Sequence, residues 1–273
     1  MQPVAAGVEP SGRLRGRVEA VLFDIYGTLL ISRSGDIHAA RRNVETAGQL
    51  DELLERFQPA VSREELLDAF FRKIESVRSA MRANGVDHPE VEIDRIWQEV
   101  LNLSDPVAAR RFALEFEMIV NPCYPMPHAR ELFPALRKRG MFMGIISNAQ
   151  FFTPLVFREL MGVSPESAGC SESLIFYSYR HGCAKPSRRL FQAAARQLQK
   201  LGTQPQHALY AGNDMRNDIL PAGAEGFQTV LFAGDGRSLR IRSEDARCAG
   251  QRPDLVITDW RQLTDRLDRD MSP

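Results

Sequence analysis

Lysine is scarce in this 273-residue chain: Lys73, Lys138, Lys185 and Lys200 are the only four, and the remaining 31 of its 35 basic residues are arginines. Each lysine position therefore merits separate inspection. An excess of either charge is also lacking, since 35 Lys and Arg face 35 Asp and Glu. No net field draws the chain toward nucleic acid or an anionic membrane, and neither is expected as a partner. No apolar run approaches the ~20 residues that would span a bilayer. The opening MQPVAAGVEPSGRLRGR lacks the apolar stretch of a secretory leader, so a cytoplasmic protein is expected. Cysteine is sparse as well. Cys123, Cys170, Cys183 and Cys248 are far apart without a CxxC, and the five histidines form no HxxxH or HExxH pair. These spacings argue against a disulfide framework and against a zinc centre.

What is present is a regular alternation. Glu19 to Asp24 (EAVLFD) is a short apolar run ending at a carboxylate, followed by Gly27. Met141–Ser147, Ser173–Tyr179, Ala208–Ala211, Thr229–Phe232 and Leu255–Thr258 repeat that form, with helical patterns between them. Short buried strands alternating with helices predict an α/β fold built on a parallel sheet. Thr153-Pro154 and Pro186 read as helix starts, with Leu190, Phe191, Ala194 and Leu198 on one face of the second helix. The intervening block at 33–122 differs in kind. Ser62-Arg-Glu-Glu65 is a capping box, and Leu66, Leu67, Phe70, Ile74, Val77 and Met81 follow at helical spacing. The domain reading is thus a mobile tail at 1–17, a discontinuous core at 18–32 and 123–265, an all-helical cap inserted at 33–122, and a second tail at 266–273. Asn121 to Pro127 is the expected return hinge.

Ligands of an open parallel sheet bind beyond the carboxyl ends of its strands, so polar residues following apolar runs should converge. Four such places exist: Asp24-Ile-Tyr-Gly-Thr28, Ser147-Asn148, Lys185-Pro186, and Gly212-Asn-Asp-Met-Arg-Asn-Asp218. They assemble a nucleophile, a small hydroxyl, a cation and a carboxylate pair. In order and spacing this set resembles the four motifs of the haloacid dehalogenase (HAD) superfamily, over about residues 19 to 260. The resemblance implies a Rossmann-like parallel-sheet core with an inserted helical cap, and commonly Mg²⁺-dependent phosphoryl transfer through an aspartyl intermediate. Asp24 is then the nucleophile, and Lys185 neutralises developing charge. Ser147, with Asn148 beside it and Lys185, binds the phosphoryl oxygens. The metal set is drawn from Asp24, the Tyr26 carbonyl, Asn213, Asp214 and Asp218. A phosphorylated small molecule is the expected substrate.

Two departures matter. Phosphatase members usually carry a second Asp two residues after the nucleophile to protonate the leaving alcohol, and here that place holds Tyr26. Asn213 occupies the place of the usual metal-binding Asp. Phe23-Asp-Ile-Tyr-Gly-Thr-Leu29 looks like the start of L-2-haloacid dehalogenases, in which halide leaves without a proton and no metal is needed. That branch is the alternative reading, and a HAD-fold binding protein with little turnover is the third. Gln150, Phe151 and Phe152 follow Ser147-Asn148 where they could face the cap, with the two aromatics read as packing residues. His181, Cys183, Arg41 and Arg42 complete the lesser candidates.

Overall fold

The computed structural model describes residues 1–32, 47–57 and 61–270. Its strands are β1 (Ser11–Gly12), β2 (Ala20–Phe23), β3 (Leu30–Ser32), β4 (Cys123–Pro125), β5 (Phe142–Ser147), β6 (Cys170–Tyr177), β7 (Ala208–Gly212), β8 (Gln228–Phe232) and β9 (Leu255–Ile257). Seven of them form one sheet in the order β1-β9-β8-β7-β2-β5-β6, parallel throughout except for β1. The chain builds outward from β2 to β5 and β6, then returns to the other side of β2 for β7, β8 and β9. Connections therefore diverge on either side of β2, and a crevice opens where that strand ends.

The alternation of β2 explains why it occupies the centre. Val21 and Phe23 face one core, with Ile145, Leu209, Phe232 and Trp260. Ala20 and Leu22 face the other, with Ile146, Phe191, Leu198 and Tyr210. A strand apolar on both faces can only be buried between two helical layers. These layers comprise α5 (Ala129–Lys138), α6 (Thr153–Met161), α7 (Pro165–Ala168), α8 (Ser178–His181), α9 (Arg188–Lys200), α10 (Leu220–Ala224) and α11 (Trp260–Asp270), which follow the four cap helices in sequence.

The inserted helices are α1 (Ala47–Phe57), α2 (Arg63–Ala83), α3 (Ile93–Val100) and α4 (Pro106–Val120). Ser62 and Glu65 form the expected capping box at the start of α2. Aromatic residues hold these helices together: Phe70 stacks on Trp97 at 3.9 Å, and Phe112 and Phe116 lie 4.7 and 4.8 Å from the same indole. The two crossings between core and insertion are β3 and β4, which pair antiparallel with Ile31 opposite Tyr124.

Both tails differ from the sequence reading. Residues 1–17 are anchored: β1 pairs with β9, Leu14 is buried, the Val4 N–H donates to the Asp235 carboxylate (2.8 Å), and the Val4 carbonyl accepts from the Gly236 N–H (2.7 Å). A two-residue edge strand held by backbone bonds leaves no side-chain periodicity to detect. At the other end α11 runs through 266 to Asp270, because Trp260, Leu263 and Leu267 share one buried helical face.

Candidate active site

Asp24 follows the last residue of β2, its N–H donating to the Ala211 carbonyl at 2.9 Å, so its carboxylate projects from the centre of the sheet edge. It is 5% exposed. One oxygen, Oδ1, accepts from Ser147 Oγ at the end of β5 (2.8 Å) and from Lys185 Nζ (2.7 Å). The other, Oδ2, has only the Thr28 hydroxyl at 3.5 Å, and that hydroxyl also reaches Asn213 Oδ1 at 3.2 Å. Thr28 thus stands between two oxygen donors that converge on one spot.

Lys185 precedes α9, and its placement is the work of Asn148. The Asn148 amide accepts from the Lys185 N–H (2.7 Å) and donates to the Lys185 carbonyl (3.2 Å). Asn148 is therefore engaged in positioning, although it also lines the cleft. The buried ammonium makes three bonds, to Asp24 Oδ1, to Asp218 Oδ1 (2.6 Å) and to the Tyr210 hydroxyl (3.0 Å). Burial alone would lower the Lys185 pKa, but Asp218 and Asp24 together carry it above its ordinary value. Asp218 moves upward as well, to about 6, because burial and the neighbouring carboxylates outweigh the ammonium. Tyr210, unmarked in the sequence because it reads as a strand apolar residue, is held fully protonated by burial and by Asp218. Its hydroxyl also bonds the Ile146 carbonyl at 2.8 Å.

The last motif divides its work unexpectedly. Asp214 makes no bond to Asp24: its oxygens bond the N–H groups of Arg216 (2.9 Å) and Asn217 (3.2 Å) and the Arg242 guanidinium (2.6 Å). Asp218 is spent on Lys185 and Tyr210 through Oδ1 and on the Asp214 N–H through Oδ2 (3.0 Å). The oxygens of both residues read from the sequence as metal ligands are thus engaged by groups of the protein. Asn213 Nδ2 donates to the Ser238 carbonyl (2.5 Å), and its Oδ1 accepts from the Thr28 hydroxyl beside Asp24 (3.2 Å). Among the described residues no group of three or more His, Cys, Asp or Glu could hold a metal. The oxygens that meet at the Thr28 hydroxyl are one carboxylate oxygen of Asp24 and the amide oxygen of Asn213. This is a hard-oxygen set of low charge. It fits Mg²⁺, which keeps most of its waters and takes further oxygens from a phosphate.

The Tyr26 phenol bonds Thr153 Oγ1 at 3.0 Å, and that hydroxyl also accepts the Gln150 N–H at 3.0 Å. Thr153 is thus the first residue of α6 with its side chain used elsewhere, not an N-cap. Burial, then Glu117, pushes the phenol well above its usual pKa, which leaves it neutral and without value as a base. Gln150 does face the cap, its amide bonding the Val91 carbonyl (2.9 Å) and the Ile93 N–H (3.1 Å). Phe151 and Phe152 are packed in the core, and Phe152 also lines the cleft. His181 and Cys183 do not line the cleft, while Arg41 and Arg42 lie outside the described residues.

The cleft between sheet edge and cap has a volume of about 600 Å³ and is walled by Asp24, Lys185 and Asn213 below and by Arg78, Glu90 and Glu117 above. Its floor depends on Gly212. A Cβ there would sit 2.3 Å from the Asp218 carboxyl carbon and 2.5 Å from Oδ2. Gly212→Ala is expected to displace Asp218 from Lys185, costing about 1–3 kcal/mol of stability in urea denaturation and at least ~10-fold in turnover.

A parallel α/β core that presents a buried carboxylate, hydroxyl and ammonium at its switch point, beneath the inserted helices, is the setting of a hydrolase. The haloacid dehalogenase-like hydrolase family matches residues 18–226, and the chain belongs to it. An N-acetylmuramic acid 6-phosphate phosphatase of Pseudomonas aeruginosa is 27% identical over 257 residues, covering 93% of this chain and 97% of that protein. A ribulose-1,5-bisphosphate 5-phosphatase of Halopiger xanaduensis is 27% identical over 140 residues, 51% of this chain and 55% of the relative. Among solved structures, a 2-haloacid dehalogenase from Pseudomonas syringae pv. Tomato superposes with a TM-score of 0.57 at 19% identity, covering 92% of this chain and 99% of the other. A HAD phosphatase from Thermococcus onnurineus gives 0.56 at 18% identity, covering 92% and 98%. At those identities the two structures speak for the fold alone.

Proposed function

We propose that the protein is a Mg²⁺-dependent phosphatase that hydrolyses a phosphorylated small molecule through an aspartyl-phosphate at Asp24. The observation that carries this reading is the asymmetry of the Asp24 carboxylate. One oxygen is held by Ser147 and Lys185, while the other stands beside Asn213 with only a long contact to Thr28. In the first step an Asp24 oxygen attacks phosphorus and the ester P–O bond breaks. In the second, water attacks phosphorus and the bond to Asp24 breaks. Lys185 and Ser147 offer hydrogen bonds to the phosphoryl oxygens. Asp24, the Tyr26 carbonyl and Asn213 would hold Mg²⁺, which when bound screens the carboxylate from the phosphoryl charge. Because the set carries one carboxylate, affinity for the ion is expected to be weak without substrate. The two phosphatases named above act, by their names, on phosphate esters bearing a further acidic group, which supports a phosphorylated metabolite here.

The test is phosphate release from a panel of phosphorylated metabolites with Mg²⁺ and with chelator. Activity should disappear in chelator, and Asp24→Asn should reduce it by at least ~10³-fold. The substitution of the usual acid by Tyr26 favours one second reading, displacement of halide from a 2-haloacid, since that leaving group needs no proton. Halide release independent of Mg²⁺ would select it. Ligand-induced stabilisation with release of neither product would point to a binding protein.

A further inference from the structure

Ile74, Arg78 and Arg82 recur every four residues along α2, and all three line the cleft that holds Asp24. The two arginines differ in what occupies them. Arg82 is bound by Glu75 and by Ser79 Oγ on its own helix. Arg78 has Glu90 nearby, but the separation is 3.8 Å, too long for a hydrogen bond. Glu90 already accepts from Ser178 Oγ (2.8 Å) and from the Val91 N–H (3.1 Å). Burial also raises the Glu90 carboxyl above the usual range, which weakens its claim on a cation. Arg78 Nε is buried and has no hydrogen-bond partner among the described residues.

A buried donor left unpaired costs about 1–3 kcal/mol, so its persistence in the wall of a cleft calls for an acceptor that the folded chain does not supply. On the core side of the same cleft Arg216 also has a buried Nε without a hydrogen-bond partner and only Asp245 at 3.9 Å, whereas the two other arginines there are committed. Arg242 is closed by Asp214, and Arg240 donates to the Arg237 and Leu239 carbonyls. We infer that Arg78 receives a second anionic group of the substrate, so that the enzyme selects phosphate esters carrying another acid group, a carboxylate or a second phosphate. The inference rests on the phosphatase reading for the place of the first phosphate, at Asp24. A guanidinium suits either acid group, because its planar fork matches both.

The experiment is calorimetric binding to the Asp24→Asn protein, with Mg²⁺, of ester pairs that differ only or chiefly in the second acid group. The pairs are 3-phosphoglycerate with glycerol 3-phosphate, 6-phosphogluconate with glucitol 6-phosphate, and fructose 1,6-bisphosphate with fructose 6-phosphate. The acidic member of at least one pair should bind ~10–100-fold more tightly, the range of a hydrogen bond to a charged group. Arg78→Met should erase that preference, Arg78→Lys should keep part of it, and Arg82→Met should leave it in place. Equal binding within all three pairs, no binding of any ester, or a preference that survives Arg78→Met would overturn the assignment. Phosphate release from the same pairs by the unsubstituted enzyme separates the two readings. Discriminating binding without release defeats the phosphatase proposal alone, and release at equal kcat/KM with equal binding defeats only the role of Arg78.

Discussion

Lys185→Met should abolish turnover and destabilise the protein by about 3–5 kcal/mol, the cost of removing one partner from a buried ion pair. The ammonium is the only cation bonded to either Asp24 or Asp218 among the described contacts, and both carboxylates are nearly inaccessible to water. Without it, two buried anions and the Tyr210 hydroxyl remain. The deficit should depend on pH in a definite direction. Carboxylates whose folded-state pKa is raised bind protons more tightly when folded, so stability falls as pH rises through the folded pKa. Asp218 already sits at about 6 with Lys185 present. In the variant it should rise further, making the loss in urea denaturation larger at pH 8 than at pH 5. A deficit that does not change with pH would mean that Lys185 contributes packing and not charge compensation. Asp218→Asn added to Lys185→Met should restore part of the stability while leaving turnover at least ~10³-fold below the unsubstituted enzyme.

Tyr26→Asp should raise phosphate release by ~10²–10⁴-fold, the usual contribution of general acid and base catalysis. The phenol cannot supply that help, because burial keeps it protonated far above neutral pH and Thr153 holds its hydroxyl. A carboxyl two residues after the nucleophile would protonate the departing alkoxide and then take a proton from the attacking water. The expected signature is a new acidic limb in the pH profile of kcat, absent from Tyr26→Phe, which should stay within a few-fold of the parent. The clasp that Gln150 makes on Val91 and Ile93 does not involve the phenol, so the cap should remain docked. If Tyr26→Asp melts like the parent and no ester is hydrolysed faster, the missing acid does not limit this enzyme.

Much of the core was legible because its pattern is one-dimensional. A strand buried on both faces must be a short apolar run, and the residue that ends it must stand at the sheet edge, so Asp24, Ser147 and the 212–218 segment could be brought to one place from spacing alone. The helical insertion was legible for the same reason, from Ser62 to Met81 at a period of 3.6. Roles within the cluster were not. Asp214 and Asn213 are adjacent and chemically similar in a string of letters. What separates them is Arg242 and the Ser238 carbonyl, 28 and 25 residues away, which engage the carboxylate of one and the amide nitrogen of the other.

The amino-acid order by itself determined the α/β class, the position of the insertion and the set of strand-end groups from which a nucleophile, a hydroxyl and a cation are drawn, because hydrophobic periodicity is a local property. Only the tertiary structure decided which oxygens face the cleft, that Tyr210 completes the shell of Lys185, that the first residues are tied to the loop beyond β8, and that the Nε of Arg78 lacks a hydrogen-bond partner in the cleft wall. Each of those depends on partners remote along the chain. Burial sets the strength of a charge or hydrogen bond, and burial exists only once the layers have closed.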